Sequence, residues 1–300
     1  MRILHLDAGR EMRGGQWQVL RLVEGLAAAG VESTLLARKG APLFSAARKL
    51  GCPVEPLGFA RALRLARRHD LVHAHDARGH TLGAIVRGAP LVVSRRVAFP
   101  IGASGRASGW KYGRAARYLA VSEFVKSVLV AGGVAEEKIS VVYDGVPLLD
   151  APPAPDLTVI APAAGGDPKK GTPLAMQATR LAGLDLNLST GLEADLRRGG
   201  IFLYLTHSEG LGSGVLLAMS AGAAVVASRV GGLVEVVRDG EDGLLVDNEP
   251  ARVADALRRL RDDRGLRERL AGAARRTARE RFSVECMVRR TMEVYRTVLT

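Results

Sequence analysis

Cysteine is nearly absent from this 300-residue chain, and the two present, Cys52 and Cys286, lie far apart. They offer neither a disulfide framework nor the paired spacing of a zinc or redox motif, and they suit a reducing compartment. Aromatic residues amount to 4%. That is too few to interleave with basic residues as stacking platforms, so nucleic acid is not expected as a partner. No run approaches the roughly 18 consecutive apolar residues of a membrane span. The chain opens on a strand-like Ile3-Leu4-His5-Leu6 rather than a basic segment leading into an apolar one, so a cytoplasmic protein is expected. Internal repeats, low-complexity tracts, a P-loop and a dinucleotide fingerprint are also missing.

What is present fits an ordinary globular protein, with 47% apolar and 25% charged residues. At about 150 residues per domain the length suggests two domains, each able to bury a core without disulfides or metal. The formal charge is +12 and the isoelectric point about 10.4. Arginine supplies most of it, in runs such as Leu257-Arg258-Arg259-Leu260-Arg261. These read as polar helix faces, so the charge is taken first as solvated surface. Peripheral contact with an anionic membrane from the inner face stays open.

Short apolar runs alternate with amphipathic stretches. Strands are expected at Arg2 to Leu6, Ser33 to Ala37, Leu71 to Ala74, Leu91 to Ser94, Tyr118 to Val121 and Ile139 to Val142. Helical patterns fall between them, as in Gln16 to Ala29 and Val125 to Ala131, ending at Gly30 and Gly132-Gly133. Such alternation means βαβ units and a parallel sheet covered on both faces. Pro147, Pro152, Pro153 and Pro155 mark an extended linker. The alternation then restarts, with strands at Leu157 to Ala161, Leu184 to Leu188, Ile201 to Leu205, Ala223 to Ala227 and Gly243 to Val246. Helices are expected at Gly214 to Ala221, Glu249 to Leu260 and Ser283 to Leu299. The expectation is therefore an α/β chain of two Rossmann-like, doubly wound domains: residues 1–147, a linker at 148–156, residues 157–282, and a terminal helix at 283–300. Both sheets would direct their C-terminal edges, where such folds bind ligands, at one cleft.

Four stretches at strand ends could carry chemistry. Gly14 and Gly15, before the first helix, leave backbone N–H groups open to an anion, although a plain strand-to-helix turn accounts for them equally. In Asp70-Leu71-Val72-His73-Ala74-His75-Asp76, His75 stands at the strand's C-terminal edge. It can donate a hydrogen bond to a sugar hydroxyl or phosphate, or be a satisfied structural histidine. No metal is expected, since no third ligand falls at a suitable spacing. Lys169 and Lys170, before Gly171, can meet a diphosphate as point charges, or be ordinary exposed lysines of a turn. The most informative run is His207-Ser208-Glu209-Gly210-Leu211-Gly212-Ser213-Gly214, a carboxylate leading into a glycine-rich turn and a helix start. A structural turn explains its glycines but not Glu209.

Read in order, the chain resembles the group 1 (family 4-like) glycosyltransferases, retaining enzymes of the GT-B fold. The resemblance runs through Gly14-Gly15, His75, Val121-Ser122-Glu123-Phe124-Val125 and Val141-Val142-Tyr143-Asp144-Gly145-Val146. It continues through Lys170-Gly171, Ser208-Glu209-Gly210, Gly231-Gly232-Leu233-Val234-Glu235 and Asp239 to Val246, and ends with Val294-Tyr295-Arg296 in a helix that crosses back to the first domain. It implies hexosyl or heptosyl transfer from a nucleotide sugar to a glycan or lipid-linked acceptor, in cell-envelope or lipopolysaccharide synthesis. It also implies no metal and no cofactor. Lys170 would hold the diphosphate, Glu209 the donor sugar, and the amides of Leu211, Gly212, Ser213 and Gly214 sugar or phosphate. Gly14 and Gly15 would approach the donor phosphate, and His75 the reacting sugar. The leaving diphosphate would be stabilised electrostatically.

The chain departs from that pattern in places. Leu217 stands where the family carries a second Glu for the donor ribose, and Gly165 and Ala164 where it often has an arginine. The stretch from Lys170 to Glu209 is short, which implies a trimmed second domain, and Asp144 replaces the usual Asn. A weakened GT-B protein that binds a glycan, nucleotide or protein partner is the alternative. On the acceptor side, Gln16, Arg95 and Arg96, with Arg106 in a loop from Val97 to Trp110, suit an anionic lipid or lipopolysaccharide phosphate, or are solvated.

Overall fold

The computed structural model describes residues 1–101, 105–149, 157–163, 170–198 and 200–300. They divide into two compact units, Met1–Gly145 with Val284–Thr300, and Val146–Ser283.

The first unit holds seven strands: β1 (Arg2–Asp7), β2 (Glu32–Ala37), β3 (Val54–Pro56), β4 (Leu71–Ala74), β5 (Leu91–Arg95), β6 (Arg117–Ala120) and β7 (Ile139–Val141). They lie in the order β3-β2-β1-β4-β5-β6-β7, every pair parallel. Helices α1 (Gly14–Ala28), α2 (Pro42–Lys49), α3 (Phe59–Ala66), α4 (Ala77–Ile85), α5 (Gly105–Gly113) and α6 (Glu123–Ala131) alternate with them. Strand β3 is not legible in the sequence because it is a three-residue run that follows Pro53 and ends in Pro56. Proline is tolerated there because β3 is an edge strand. The expected acceptor loop from Val97 to Trp110 is partly helical, since α5 begins at Gly105.

The second unit holds β8 (Val159–Pro162), β9 (Leu186–Ser189), β10 (Ile201–Tyr204), β11 (Ala224–Ser228) and β12 (Leu244–Val246). Their order is β12-β11-β10-β8-β9, again all parallel. Around them are α7 (Thr172–Ala182), α8 (Leu192–Leu196), α9 (Ser213–Ala221), α10 (Leu233–Val236), α11 (Pro250–Asp262) and α12 (Arg264–Arg281). Its core joins Val159, Ile201, Leu203 and Val226 of the strands to Ala178 of α7 and Leu257 of α11. In α12, Leu270, Ala274 and Ala278 form a buried stripe at helical spacing, while the intervening arginines stay outside it.

Of the proposed linker, residues 150–156 lie outside the described residues. Its first two belong to the second unit, where Leu149 is buried and its carbonyl accepts from Arg275. Helix α13 (Val284–Leu299) returns to the first unit. It buries Met287, Val288 and Tyr295 against Ile3, Leu22 and Leu26. Gly25 permits this approach, because a Cβ there would stand 2.5 Å from the Val288 side chain. The fold is thus two parallel-sheet α/β domains, with the last helix on the first.

Candidate active site

In an open parallel sheet, ligands bind where the strand order reverses, at the C-terminal strand ends. The first sheet reverses between β1 and β4, the second between β8 and β10. The chemistry-bearing stretches flank those two points.

At the first, Asp7 ends β1 and His75 follows β4, its amide donating to the Leu6 carbonyl at 2.9 Å. Asp76 caps α4, accepting from Gly79 N at 2.6 Å, and also accepts from Ala8 N at 3.2 Å. Gly79 packs on β1 so closely that a Cβ would lie 2.7 Å from the Leu6 oxygen. Gly14 and Gly15 form the start of α1. Gln16, expected on the acceptor side, donates instead to both Asp7 oxygens at 3.3 and 3.2 Å, and Gly9 N donates to Oδ1 at 2.8 Å. Burial pushes the Asp7 carboxyl above the usual carboxylate range, against the lowering effect of the Gly9 hydrogen bond. A carboxylate kept at that cost on a ligand-binding edge is a functional candidate the sequence reading missed.

His75 is buried, and it does not stand alone. His5 and His73 are register partners on β1 and β4, and ligand nitrogens of the three imidazoles lie within 4.8 Å of one another. The third imidazole that sequence spacing lacked therefore exists, 70 residues away, but its nitrogens face hydrogen-bond partners. His5 Nδ1 is 2.9 Å from His75 Nε2. His73 spans Tyr295 Oη of α13 at 2.6 Å and Ser94 Oγ at 2.8 Å. Burial drives all three imidazoles toward the neutral form, His5 down to about 3.

Arg95 donates to the Phe99 carbonyl at 2.5 Å. Arg96 pairs with Asp144 at 3.0 Å, both largely buried. The Asp144 that replaces the family's Asn is thus the counter-ion of an arginine expected to meet the acceptor. Of Arg106 no side-chain position is described.

At the second switch point, Lys170 forms a β-bridge with Thr206, and Gly171 N donates to the Leu205 carbonyl at 2.9 Å. The loops after β8 and β10 are thereby tied backbone to backbone. A Cβ on Gly171 would lie 2.9 Å from that of Leu205. Lys170 is half-buried, and no ion pair among the described residues engages it. Lys169 lies outside the described residues, as do Ala164 and Gly165. Glu209 is half-buried. Its Oε2 accepts from Tyr204 Oη at 2.5 Å and its Oε1 from Gly210 N at 3.0 Å, so its carboxylate is oriented before any ligand arrives.

Gly212 caps α9 with φ +95°, a conformation that favours glycine. The first amides of α9, at Ser213 and Gly214, have no carbonyl within the helix to donate to. The side chains of Leu211 and Leu217 are buried, so Leu211 can offer only its backbone and Leu217 offers no acceptor. Gly232 lies against this loop, donating to the Glu209 carbonyl at 3.1 Å. A Cβ there would sit 2.0 Å from the Gly210 oxygen. Beneath, Ser228 Oγ accepts from Thr206 N at 3.0 Å and donates to Asn248 Oδ1 at 2.6 Å. Asn248 Nδ2 donates to the Thr206 carbonyl at 2.9 Å, closing a ring that fixes the loop.

Residues 12–148 match the family model described as Glycosyltransferase Family 4, and residues 189–277 that of Glycosyl transferases group 1. Over 92 residues the chain is 47% identical to the D-inositol 3-phosphate glycosyltransferase of a Nocardioides species, covering 30% of this chain and 20% of that one. It is 34% identical over 164 residues to that of Streptomyces griseus, covering 51% and 34%. These matches span a fifth to a third of the relatives' length. Among solved structures, Anabaena HepE in complex with UDP-glucose is similar with a TM-score of 0.87 at 17% identity, over 99% of this chain and 100% of that one. Sucrose-phosphate synthase from Thermosynechococcus elongatus is similar with a TM-score of 0.76 at 16% identity, over 99% and 98%. With both halves matching glycosyltransferase models and the whole chain following the same two-domain fold, the protein belongs to the group 1 glycosyltransferases of the GT-B fold.

Proposed function

We propose that the protein transfers a hexosyl or heptosyl unit from a nucleotide sugar to a glycan or lipid-linked acceptor, of the cell-envelope or lipopolysaccharide kind. The observation that carries this reading is the second switch point. There a lysine, a pre-oriented carboxylate and an uncovered helix start share one sheet edge, tied by the Lys170–Thr206 bridge. Lys170 and the α9 amides suit the charge that develops on a departing diphosphate, and they supply it without metal. Glu209 suits donor-sugar hydroxyls, and His75 with Asp7 offers polar groups at the first unit's edge for sugar and acceptor. Transfer with retention, assisted by the leaving phosphate, needs no dedicated nucleophile, so the two-carboxylate glycosidase scheme does not apply. Related structures hold UDP and UDP-glucose, which makes a uridine diphosphate sugar the first donor to try.

A second reading rests on Leu217. Its buried side chain cannot accept from ribose hydroxyls, and a polar group left unpaired costs about 1–3 kcal/mol. The protein would then hold nucleotides weakly and bind a glycan or protein partner without efficient transfer. Thermal unfolding with UDP, GDP, ADP and CMP, with and without Mg²⁺, separates the two. A folded-state ligand at a hundredfold excess over its Kd adds about 2.7 kcal/mol. Metal-independent stabilisation by one nucleotide, lost in Lys170→Ala, supports the transferase; a shift with none of them supports the second reading.

A further inference from the structure

The three imidazoles of the first sheet share one face, because His5 pairs with His73 in register and His75 follows two residues later. They form two separate hydrogen-bonded sets. His73 is satisfied at both nitrogens by Tyr295 and Ser94. His5 links Ser33 Oγ, 3.3 Å from its Nε2, to His75 Nε2, 2.9 Å from its Nδ1. One atom is left over. His75 Nδ1 is buried and meets no partner among the described residues.

A neutral imidazole carries one N–H, so the chain has two proton arrangements. In one, His75 Nε2–H donates to His5 Nδ1, His5 Nε2–H donates to Ser33 Oγ, and His75 Nδ1 keeps a bare lone pair. In the other, Ser33 donates to His5 Nε2, His5 Nδ1–H donates to His75 Nε2, and an N–H is stranded at His75 Nδ1. Buried orphan N–H groups are rarer than under-satisfied acceptors, which favours the first.

We propose that the Ser33–His5–His75 chain holds His75 as its Nε2–H tautomer, so that Nδ1 takes a hydrogen bond from a sugar hydroxyl and rejects a phosphate oxygen. His5 is then a positioning residue acting through His75. This rests on the reading of His75 as a sugar contact. An ionised phosphate oxygen has no hydrogen to give and would face the Nδ1 lone pair, whereas a hydroxyl completes it. A metal is not needed to explain the cluster, because His5 and His73 already have partners at all four nitrogens.

The test is imidazole ¹⁵N–¹H correlation NMR on the full chain labelled at histidine, at pH 7.5, with His75 assigned through His75→Asn. The expected pattern is a protonated Nε2 and a pyridine-type Nδ1 on His75. Ser33→Ala should move His75 toward the other tautomer, since the far end of the chain then loses its acceptor. His5→Phe should abolish the preference, and His5→Asn, whose Oδ1 can accept in place of Nδ1, should restore it. An Nδ1–H tautomer in the wild type, no response to Ser33→Ala, or a stoichiometric metal whose removal changes the pattern overturns the proposal.

Binding gives the second arm. His75→Asn and His5→Phe should weaken UDP-glucose about fivefold relative to UDP, and His5→Asn should recover most of that loss. Equal losses for both ligands make His75 a phosphate contact and overturn the hydroxyl assignment. The expected tautomer together with unchanged UDP-glucose affinity in His75→Asn would sink the sugar-contact reading instead, and with it the assignment of Nδ1 to a hydroxyl.

Discussion

The two sheet edges are built from different materials. At the first, the polar groups sit on strands or just beyond them and are buried: three neutral imidazoles, a carboxyl raised by desolvation, and an Arg96–Asp144 pair. At the second, the groups sit on loops, half-buried, and glycines with close backbone contacts shape the surface. Removing a half-exposed group costs a ligand its contact and leaves the fold intact. Changing a buried one disturbs packing and hydrogen bonding that the fold depends on. Substitutions at the second edge should therefore act on function, and those at the first on stability and function together.

The largest effect expected from this contrast is on turnover. Lys170→Ala and Glu209→Ala should each lower transfer by 10²–10³-fold, about 2.7–4 kcal/mol of transition-state stabilisation, while the thermal midpoint stays nearly constant. Steady-state kinetics beside a thermal melt reads both. Unchanged turnover in both variants would remove the proposed donor site. Gly232→Ala is the exception at that edge, because its methyl would strike the Gly210 carbonyl 2.0 Å away. Such overpacking should cost ~3 kcal/mol of stability, read by urea unfolding. A variant as stable as the wild type would mean that the Glu209–Gly210 loop moves freely.

Acid should separate the two units. Four buried histidines, His5, His73, His75 and His80, lie in the first, whereas the second contains only His207, which is exposed. Burial lowers each of the four, His5 to about 3 and His80 to about 4. The unfolded chain therefore takes up protons below about pH 6.5 that the folded unit refuses. Stability is full above that pH and falls as pH drops toward the folded values. At pH 5.5 the loss is about 1.4 kcal/mol for one such histidine. Asp7, raised in the folded state, acts in the opposite sense as it protonates. Urea unfolding from pH 7.5 to 5.5 should show the first unit melting earlier while the second holds its midpoint. A parallel decline of both would mean the units unfold as one.

Much of this was legible in the sequence, and the limit was set by chain separation. Strand–helix alternation revealed the parallel sheets, because buried strands read as apolar runs and βα loops as glycine-bearing turns. Lys170, Glu209 and Gly212 could be found because each sits in a local pattern. The partners that orient them could not. His5 lies 70 residues from His75, Tyr295 lies 222 from His73, and Arg96 lies 48 from Asp144; strand order alone brings the first pair together. Asp7 falls just past the strand expected at Arg2 to Leu6, and its hydrogen bonds depend on the return of Gly9 and Gln16. The arginines of α12 obscured a buried stripe of alanines at helical spacing.

The smallest effect belongs to Tyr204, which had no reason to stand out in Ile201-Phe202-Leu203-Tyr204 except as a strand residue. Its hydroxyl donates to Glu209, which makes it, like Ser228, a strand-borne group that serves the loop-built edge. Tyr204→Phe keeps the ring stacked on Phe202 and removes only that donor. A net hydrogen bond of about 1 kcal/mol should then be lost, roughly a fivefold rise in donor KM, with stability little changed. If Glu209 is instead held well enough by the Gly210 amide, KM will not move, and Glu209 will prove to be positioned by backbone alone.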